Sequence, residues 1–235
     1  MMEAPRSSSH SLAERLAQVH RHVPEPLRLV ADVVPLYAQL TATWAAFPEA
    51  PLTLPAHALP WAVQLHMYNF RLWHTENGVR RPGAPEHFIA QSKWTIDTLN
   101  QQRHEHIEHL DTWLSTWLYE QQSRGRPTAE LHSETPGNLL DRLSILALKV
   151  HYMGHEATRQ DTTEAHRQLC SQRLAVLHEQ RDDLHGCLCQ LCLDLWSGNK
   201  IFKIYRQFKM YNDPTLNPEI YRHRASSEET PDGSR

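Results

Sequence analysis

Between Lys93 and Trp117 the chain reads K-W-T-I-D-T-L-N-Q-Q-R-H-E-H-I-E-H-L-D-T-W-L-S-T-W. Asp97, Asn100, His104, Glu108 and Asp111 recur at steps of three or four, which puts them along one side of a helix. A row of imidazole, amide and carboxylate groups could transfer protons or orient a polar ligand. Beside it runs an apolar stripe, Ile96, Leu99, Ile107, Leu110, Leu114 and Trp117, and Arg103 belongs to that stripe. A guanidinium on a core-facing stripe implies that the helix is either half-exposed there or forms the wall of a polar site.

A second set of charges sits in the segment from Leu139 to Val150, whose apolar residues cover nearly the whole helical circumference. Asp141, Arg142 and Lys149 are embedded in it. Isolating a buried charge costs several kcal/mol, so partners are required. Asp141 and Arg142 are adjacent and do not face each other, so each is expected to pair with another helix, Asp141 being a partner on offer for Arg103. A third set follows Gly198: Lys200-Ile-Phe, Lys203-Ile-Tyr, Arg206-Gln-Phe and Lys209-Met-Tyr, then Asn212-Asp213-Pro214. On a helix each three-residue step turns about 300°, so the cations would wind slowly around it. Cations without an acid attract phosphate, nucleotide or anionic lipid, and interleaved aromatics suit single-stranded nucleic acid. The plainer alternative is an arm that docks its aromatics and pairs its cations with the acidic helix.

The elements that must position these groups are helical. Leu, Ala, Gln, His, Glu and Arg dominate, only 8 of 235 residues are glycine, and β-branched runs are scarce. Ser11 to His22 predicts a short helix opened by a Ser11/Glu14 capping box, and Leu27 to Phe47 a second helical stretch broken or kinked near Pro35. Pro48 to Pro60 is a proline-rich connector. Long helices are expected from Pro60 to about Asn77–Arg80, from about Glu86 to Gln122 (roughly 50 Å), from Thr135 through Met153, and from about Thr163 to Trp196. Thr135 and Pro136 form the clearest helix entry. Leu174–Arg181 echoes Ile96–Arg103, a weak internal repeat that places Arg181 in a charged layer like Arg103. The expected architecture is all-α: an antiparallel bundle of four long helices with an N-terminal helical extension and a C-terminal arm. In residues, 1–11 is a disordered tail, 12–221 a single domain with core 61–198 and arm 199–221, and 222–235 a second disordered tail.

The bulk numbers narrow the partners. A net charge of -3 supplies no basic field for nucleic acid, and no run approaches the roughly 20 apolar residues of a membrane span. No signal-peptide pattern opens the chain. Cys187 and Cys189 would point to different sides of a helix, so these thiols and Cys170 and Cys192 are read as small buried residues in a reducing cytoplasm. The 17 histidines mostly fall on polar helix faces. Paired Glu and Glu-x-x-His ligands of di-iron bundles are not found: Glu105-x-x-Glu108-His109 misses the spacing and His151-x-x-x-His155 has no mate. No metal ligand is assigned and no cofactor is specified.

Four ordered motifs carry a resemblance: L-W-H-T-E-N at 72–77, I-D-x-L-N-Q-Q-R-x-x-x-I-E-x-L-D at 96–111, E-T-P-G-N-L-L-D-R-L-S-I-L-A-L-K at 134–149, and Y-R-Q-F-K-M-Y-N-D-P-T-L-N-P at 205–218. Together, over roughly Trp61 to Tyr221, they resemble the bacterial domain-of-unknown-function family 4254. The resemblance implies no reaction. It implies an association with genes for envelope glycan and lipopolysaccharide synthesis, glycosyltransferases in particular, and marks Trp73, His74, Glu76, Arg80, Asp97, Asn100, Arg103, Glu108, Asp111, Asp141, Arg142, Lys149, Arg206, Lys209, Asn212 and Asp213. The chain departs from the pattern at Asn77, where the family tends to an acid, and at His104, where it tends to an amide. The reading that follows is an enzyme or substrate-binding protein of glycan assembly. In it His74, Glu76, Glu108 and Asp111 are the acid–base candidates, while Asn100, Arg103, Asp141, Arg142, Lys149, Arg206, Lys209, Asn212 and Asp213 hold an anionic sugar or nucleotide in a cleft between the second and third long helices. The alternatives are an accessory protein that binds a glycosyltransferase, a metal-dependent bundle enzyme, and a polar network that only stabilises the fold.

Overall fold

The computed structural model describes residues 11–47, 59–121, 125–206, 210 and 213–222. The tails and the connector expected before Pro60 lie, apart from their last or first residues, outside the described residues. Seven helices are described through Trp196: α1 (Leu12–His22), α2 (Glu25–Ala31), α3 (Val33–Ala46), α4 (Pro60–Val79), α5 (Glu86–Glu120), α6 (Pro136–Thr158) and α7 (Glu164–Trp196). Two short strands, β1 (Glu130–Leu131) and β2 (Lys200–Ile201), and a short helical turn at 218–222 are also described. The chain divides into two compact units, one ending at Ile204 and the other beginning at Tyr205.

The four long helices form as the periodicity predicts. Ser11 and Glu14 make the reciprocal capping box of α1, and Thr135 and Thr163 accept the N3 amides of α6 and α7. Neighbouring long helices run antiparallel. Along α4 and α5, Asn69 meets Arg103 while Trp61 meets His109; along α6 and α7, Glu156 meets His166 while Lys149 shares a cavity wall with Leu177.

Three features differ from the expectation. The N-terminal helical extension packs into the core, which was expected over 61–198: Val19, Leu27, Val30, Ala31, Val33 and Tyr37 are buried with residues of α5, α6 and α7. Arg15 Nη1 donates to Gly186 O (3.3 Å) and His185 Nε2 meets Ala31 O (2.6 Å), fastening α1 and α2 to α7. The break between α2 and α3 falls at Asp32, and Pro35 sits in the first turn of α3, where a missing amide costs nothing. Finally, the start of the basic–aromatic arm is extended. Gly198, at φ 71°, reverses the chain after α7, and β2 pairs in parallel with β1, Glu130 opposite Lys200 and Leu131 opposite Ile201. Isoleucine at 201 and 204 favours that extended course, so the first two triplets do not wind around a helix.

Candidate functional site

Two polar assemblies are built by the first unit, one inside the bundle and one on its surface. The interior one spans four helices. His66 is fully buried on α4 and hydrogen-bonds both Thr41 Oγ1 of α3 (2.9 Å) and Ser144 Oγ of α6 (2.8 Å). Tyr37 and Trp44 stack on its ring, with centroids 4.6 and 5.4 Å away. Burial removes water from the imidazolium form, which pushes the pKa of His66 down to about 3. Asn69 Nδ2 donates to Asp141 Oδ1 (2.8 Å) and Ser144 Oγ (3.0 Å), and its Oδ1 accepts from Arg103 Nη1 (3.4 Å). Arg103 Nε stands 3.9 Å from Asp141 Oδ1, both side chains at most 20% exposed. The expected Arg103–Asp141 partnership is therefore present, bridged by an asparagine that the sequence reading missed. The expected echo at Arg181 is absent, because that guanidinium pairs with its neighbour Asp182 (2.8 Å).

Asp111 belongs to a separate structural device. Its carboxylate lies 2% exposed beneath the start of α6 and accepts from Gly137 N (2.7 Å), with Thr135 as a second partner. The Gly137 amide is one of the orphan donors of a helix N-terminus, so an acid stabilises it, and the Thr135 contact is through the side chain. Burial dominates nonetheless and pushes the carboxyl up to about 6, Thr135 and Gly137 opposing, with Glu108 adding a small repulsion. A Cβ on residue 137 would lie 2.8 Å from the Asp111 carboxylate, which is why glycine occupies that place.

The four acid–base candidates do not converge. His74 Nε2 is bound to Tyr152 Oη (2.8 Å), and partial burial lowers its pKa. Glu76 pairs with Arg80 one turn away on the surface. With Asn69 and Arg103 level, His74 and Glu108 lie on opposite sides of that level, roughly 15 Å apart along the bundle, and Asp111 is further still. Asn100 is half-buried one turn before Arg103. In the second unit Arg206 is exposed, and Asp213 Oδ1 closes a turn by accepting from Thr215 N (2.8 Å) and Thr215 Oγ1 (2.7 Å), which holds its carboxyl below the usual range. Lys209 and Asn212 lie outside the described residues. Lys200 is committed to Asp194 (3.0 Å).

The surface assembly lies between α6 and α7, not between the second and third long helices (α5 and α6) as the sequence suggested. A cavity of about 710 Å³ is lined by Glu134, Leu139, Arg142, Ile145, Leu146, Lys149, Gln180, Asp183, Leu184 and Cys187 with His132. Arg142 and Lys149 are exposed, not embedded. Arg142 finds its partner in the preceding loop, where Nη1 donates to both oxygens of Glu134 at 2.7 Å. Lys149, Gln180 and Asp183 make no hydrogen bond or ion pair among the described residues. A second cavity of about 550 Å³ continues the groove past Lys149, lined by Trp73, Tyr152, Met153, Glu156, Arg173, Val176 and Leu177. Trp73 and Tyr152 stack flat, 5.2 Å apart and 8° from parallel. Of this groove the sequence reading held Arg142 and Lys149, and Trp73 through the resemblance; it missed the wall supplied by α7. Among the described residues no group of three or more His, Cys, Asp and Glu side chains is placed to hold a metal ion.

The family model described as a protein of unknown function (DUF4254) matches residues 59–204, well over half of the chain. The chain belongs to DUF4254. The match begins at the N-cap of α4 and ends at Ile204, where the first compact unit ends. It thus contains the surface assembly and the α4, α5 and α6 members of the interior one, but not Thr41, Tyr37 and Trp44 of α3, and it stops short of the 205–218 motif. No curated protein and no solved structure matches the chain. No helix among the described residues is long and apolar enough to cross a membrane.

Proposed function

We propose that this DUF4254 chain is a binding protein for an anionic glycan precursor, a sugar phosphate or nucleotide sugar, held in the larger α6–α7 cavity. The carrying observation is the open polar set on the two facing helices. Among the described residues Lys149 has no acid partner, Arg142 is fixed by Glu134, and Gln180 and Asp183 are uncommitted beside them. An ammonium suits phosphate, and an amide with a carboxylate suits sugar hydroxyls. A volume of about 710 Å³ falls in the range of small-molecule sites. Binding is favoured over catalysis because His74, Glu76, Glu108 and Asp111 are dispersed and three of them, His74, Glu76 and Asp111, are tied to neighbouring groups. The envelope-glycan setting comes from the association carried by the family resemblance. A cytoplasmic location suits that setting and the four free thiols.

Cys187 gives the site its own reporter, since it is exposed and lines the cavity. Sugar phosphates and nucleotide sugars are expected to raise the melting temperature and to slow alkylation of Cys187. Lys149→Glu should weaken both effects at least tenfold. If no anion in a broad panel stabilises the protein or protects Cys187, the proposal fails.

A further inference from the structure

The smaller cavity has a chemistry distinct from its neighbour. Its walls are Trp73, Tyr152, Met153, Val176 and Leu177, and its polar lining groups are largely spent elsewhere. Tyr152 Oη is taken by His74 (2.8 Å), and Glu156 Oε2 by His166 (3.0 Å) and Arg159 (3.5 Å). Two cations remain on its border, Lys149 from α6 and Arg173 from α7, and neither makes an ion pair or hydrogen bond among the described residues. Lys149 also borders the polar cavity, so it marks the junction of the two. Along the groove the order is therefore polyol-binding groups, cation, then hydrocarbon wall with a second cation.

That order selects among anionic ligands. A nucleobase placed in the smaller cavity would bring several donors and acceptors to walls that cannot answer them, a costly desolvation. A hydrocarbon chain brings none, and each fully buried methylene multiplies affinity about fourfold. We propose that the smaller cavity receives the hydrocarbon chain of a phosphate-bearing amphiphile, with the phosphate between Lys149 and Arg173 and any attached sugar in the larger cavity. The ligand class is then a lipid-linked sugar phosphate and not a nucleotide sugar. This rests on the anion-binding function proposed above and narrows it.

The test uses the full chain and three soluble probes: geranyl phosphate below its micelle concentration, geraniol, and glucose 1-phosphate. Calorimetry is expected to show geranyl phosphate binding at least tenfold more tightly than either of the others. Arg173→Glu should weaken both phosphate ligands, whereas Val176→Asp, also at an exposed α7 position, should reduce geranyl phosphate affinity at least tenfold while leaving glucose 1-phosphate affinity unchanged. Tight glucose 1-phosphate binding with no gain from the geranyl chain would overturn this inference and leave the broader function standing. Geranyl phosphate binding that ignores both substitutions would overturn the site. Binding of none of the probes would overturn this inference, and the broader function would then stand or fall on the anion panel above. A concentration-dependent dimer that Val176→Asp dissociates, with no geranyl phosphate bound, would assign the groove to a second copy of the chain and overturn the inference.

Discussion

Replacing Gly137 by alanine separates a structural Asp111 from a catalytic one. In a helix this exchange ordinarily stabilises, by up to about 1 kcal/mol. Here the added Cβ would stand 2.8 Å from Oδ2 and 2.9 Å from Cγ and Oδ1 of Asp111. The carboxylate is 2% exposed and cannot swing into solvent without abandoning the Gly137 amide. Overpacking of this kind costs about 1–3 kcal/mol, and a hydrogen bond to a charged acceptor contributes about 1.5–3 kcal/mol. After the helical gain is set against these terms, Gly137→Ala should lower stability by roughly 2–4 kcal/mol, read as a fall in the urea midpoint at unchanged m-value. Asp111→Ala should lower it too, by leaving the Gly137 amide without its acceptor. The double variant decides the cause. If the two side chains collide, Asp111→Ala/Gly137→Ala will be no less stable than Asp111→Ala alone, a coupling of about 2 kcal/mol. Additive losses, or a single Gly137→Ala variant as stable as wild type, would refute the account of Asp111 as the acceptor that fixes the start of α6.

The same carboxylate predicts a pH slope. Its folded pKa of about 6 lies above the unfolded value of about 3.9, so its contribution is fully present below pH 4 and is lost as pH rises through 6, by about 3 kcal/mol. Asp111→Asn keeps an acceptor for Gly137 N and should flatten stability between pH 4 and 6; an unaltered slope would contradict this. His66 moves oppositely: with a folded pKa near 3, its imidazole should remain neutral in NMR spectra from pH 7 to 4.5, and the unfolded chain's extra proton should erode stability as pH falls below about 6.5. A His66 titration midpoint near 6.5 would show that the ring is not sealed among Thr41, Ser144, Tyr37 and Trp44. Maleimide should label one thiol of the native protein rapidly, Cys187, since Cys170, Cys189 and Cys192 are buried and burial pushes Cys189 up to about 12. Rapid labelling of the Cys187→Ser variant would show the core to be open.

The helices were legible because their signals are local. Ser11 with Glu14, Thr135 with Pro136, and Thr163 each set a helix start whatever the surrounding fold. The Arg103–Asp141 pairing was legible for another reason: a charge on an otherwise apolar stripe must find its opposite on a neighbouring helix. The roles of Asp111 and of the α6–α7 groove were not, and the causes differ. Asp111 was read as one member of a polar row that could serve a ligand, but periodicity fixes only the face a residue occupies. What covers that face depends on which helix packs there, and α6 begins directly above Asp111. For the groove, the all-round apolar character of α6 argued for full burial, yet Ile145, Leu146 and Tyr152 remain half-buried along its edge. A clue was present in the spacing. Arg142, Lys149 and Glu156 on α6, and Arg173, Gln180 and Cys187 on α7, repeat every seven residues and line the cavities. Seven residues return a helix to within about 20° of the same direction, so two polar rows of that period on adjacent helices mark two faces that water reaches. Had both faces been packed, Lys149 and Arg173 would need acids opposite them, and the nearest heptad partners on the facing helix, Gln180 and Glu156, cannot serve both: one is neutral and the other is already bound to His166.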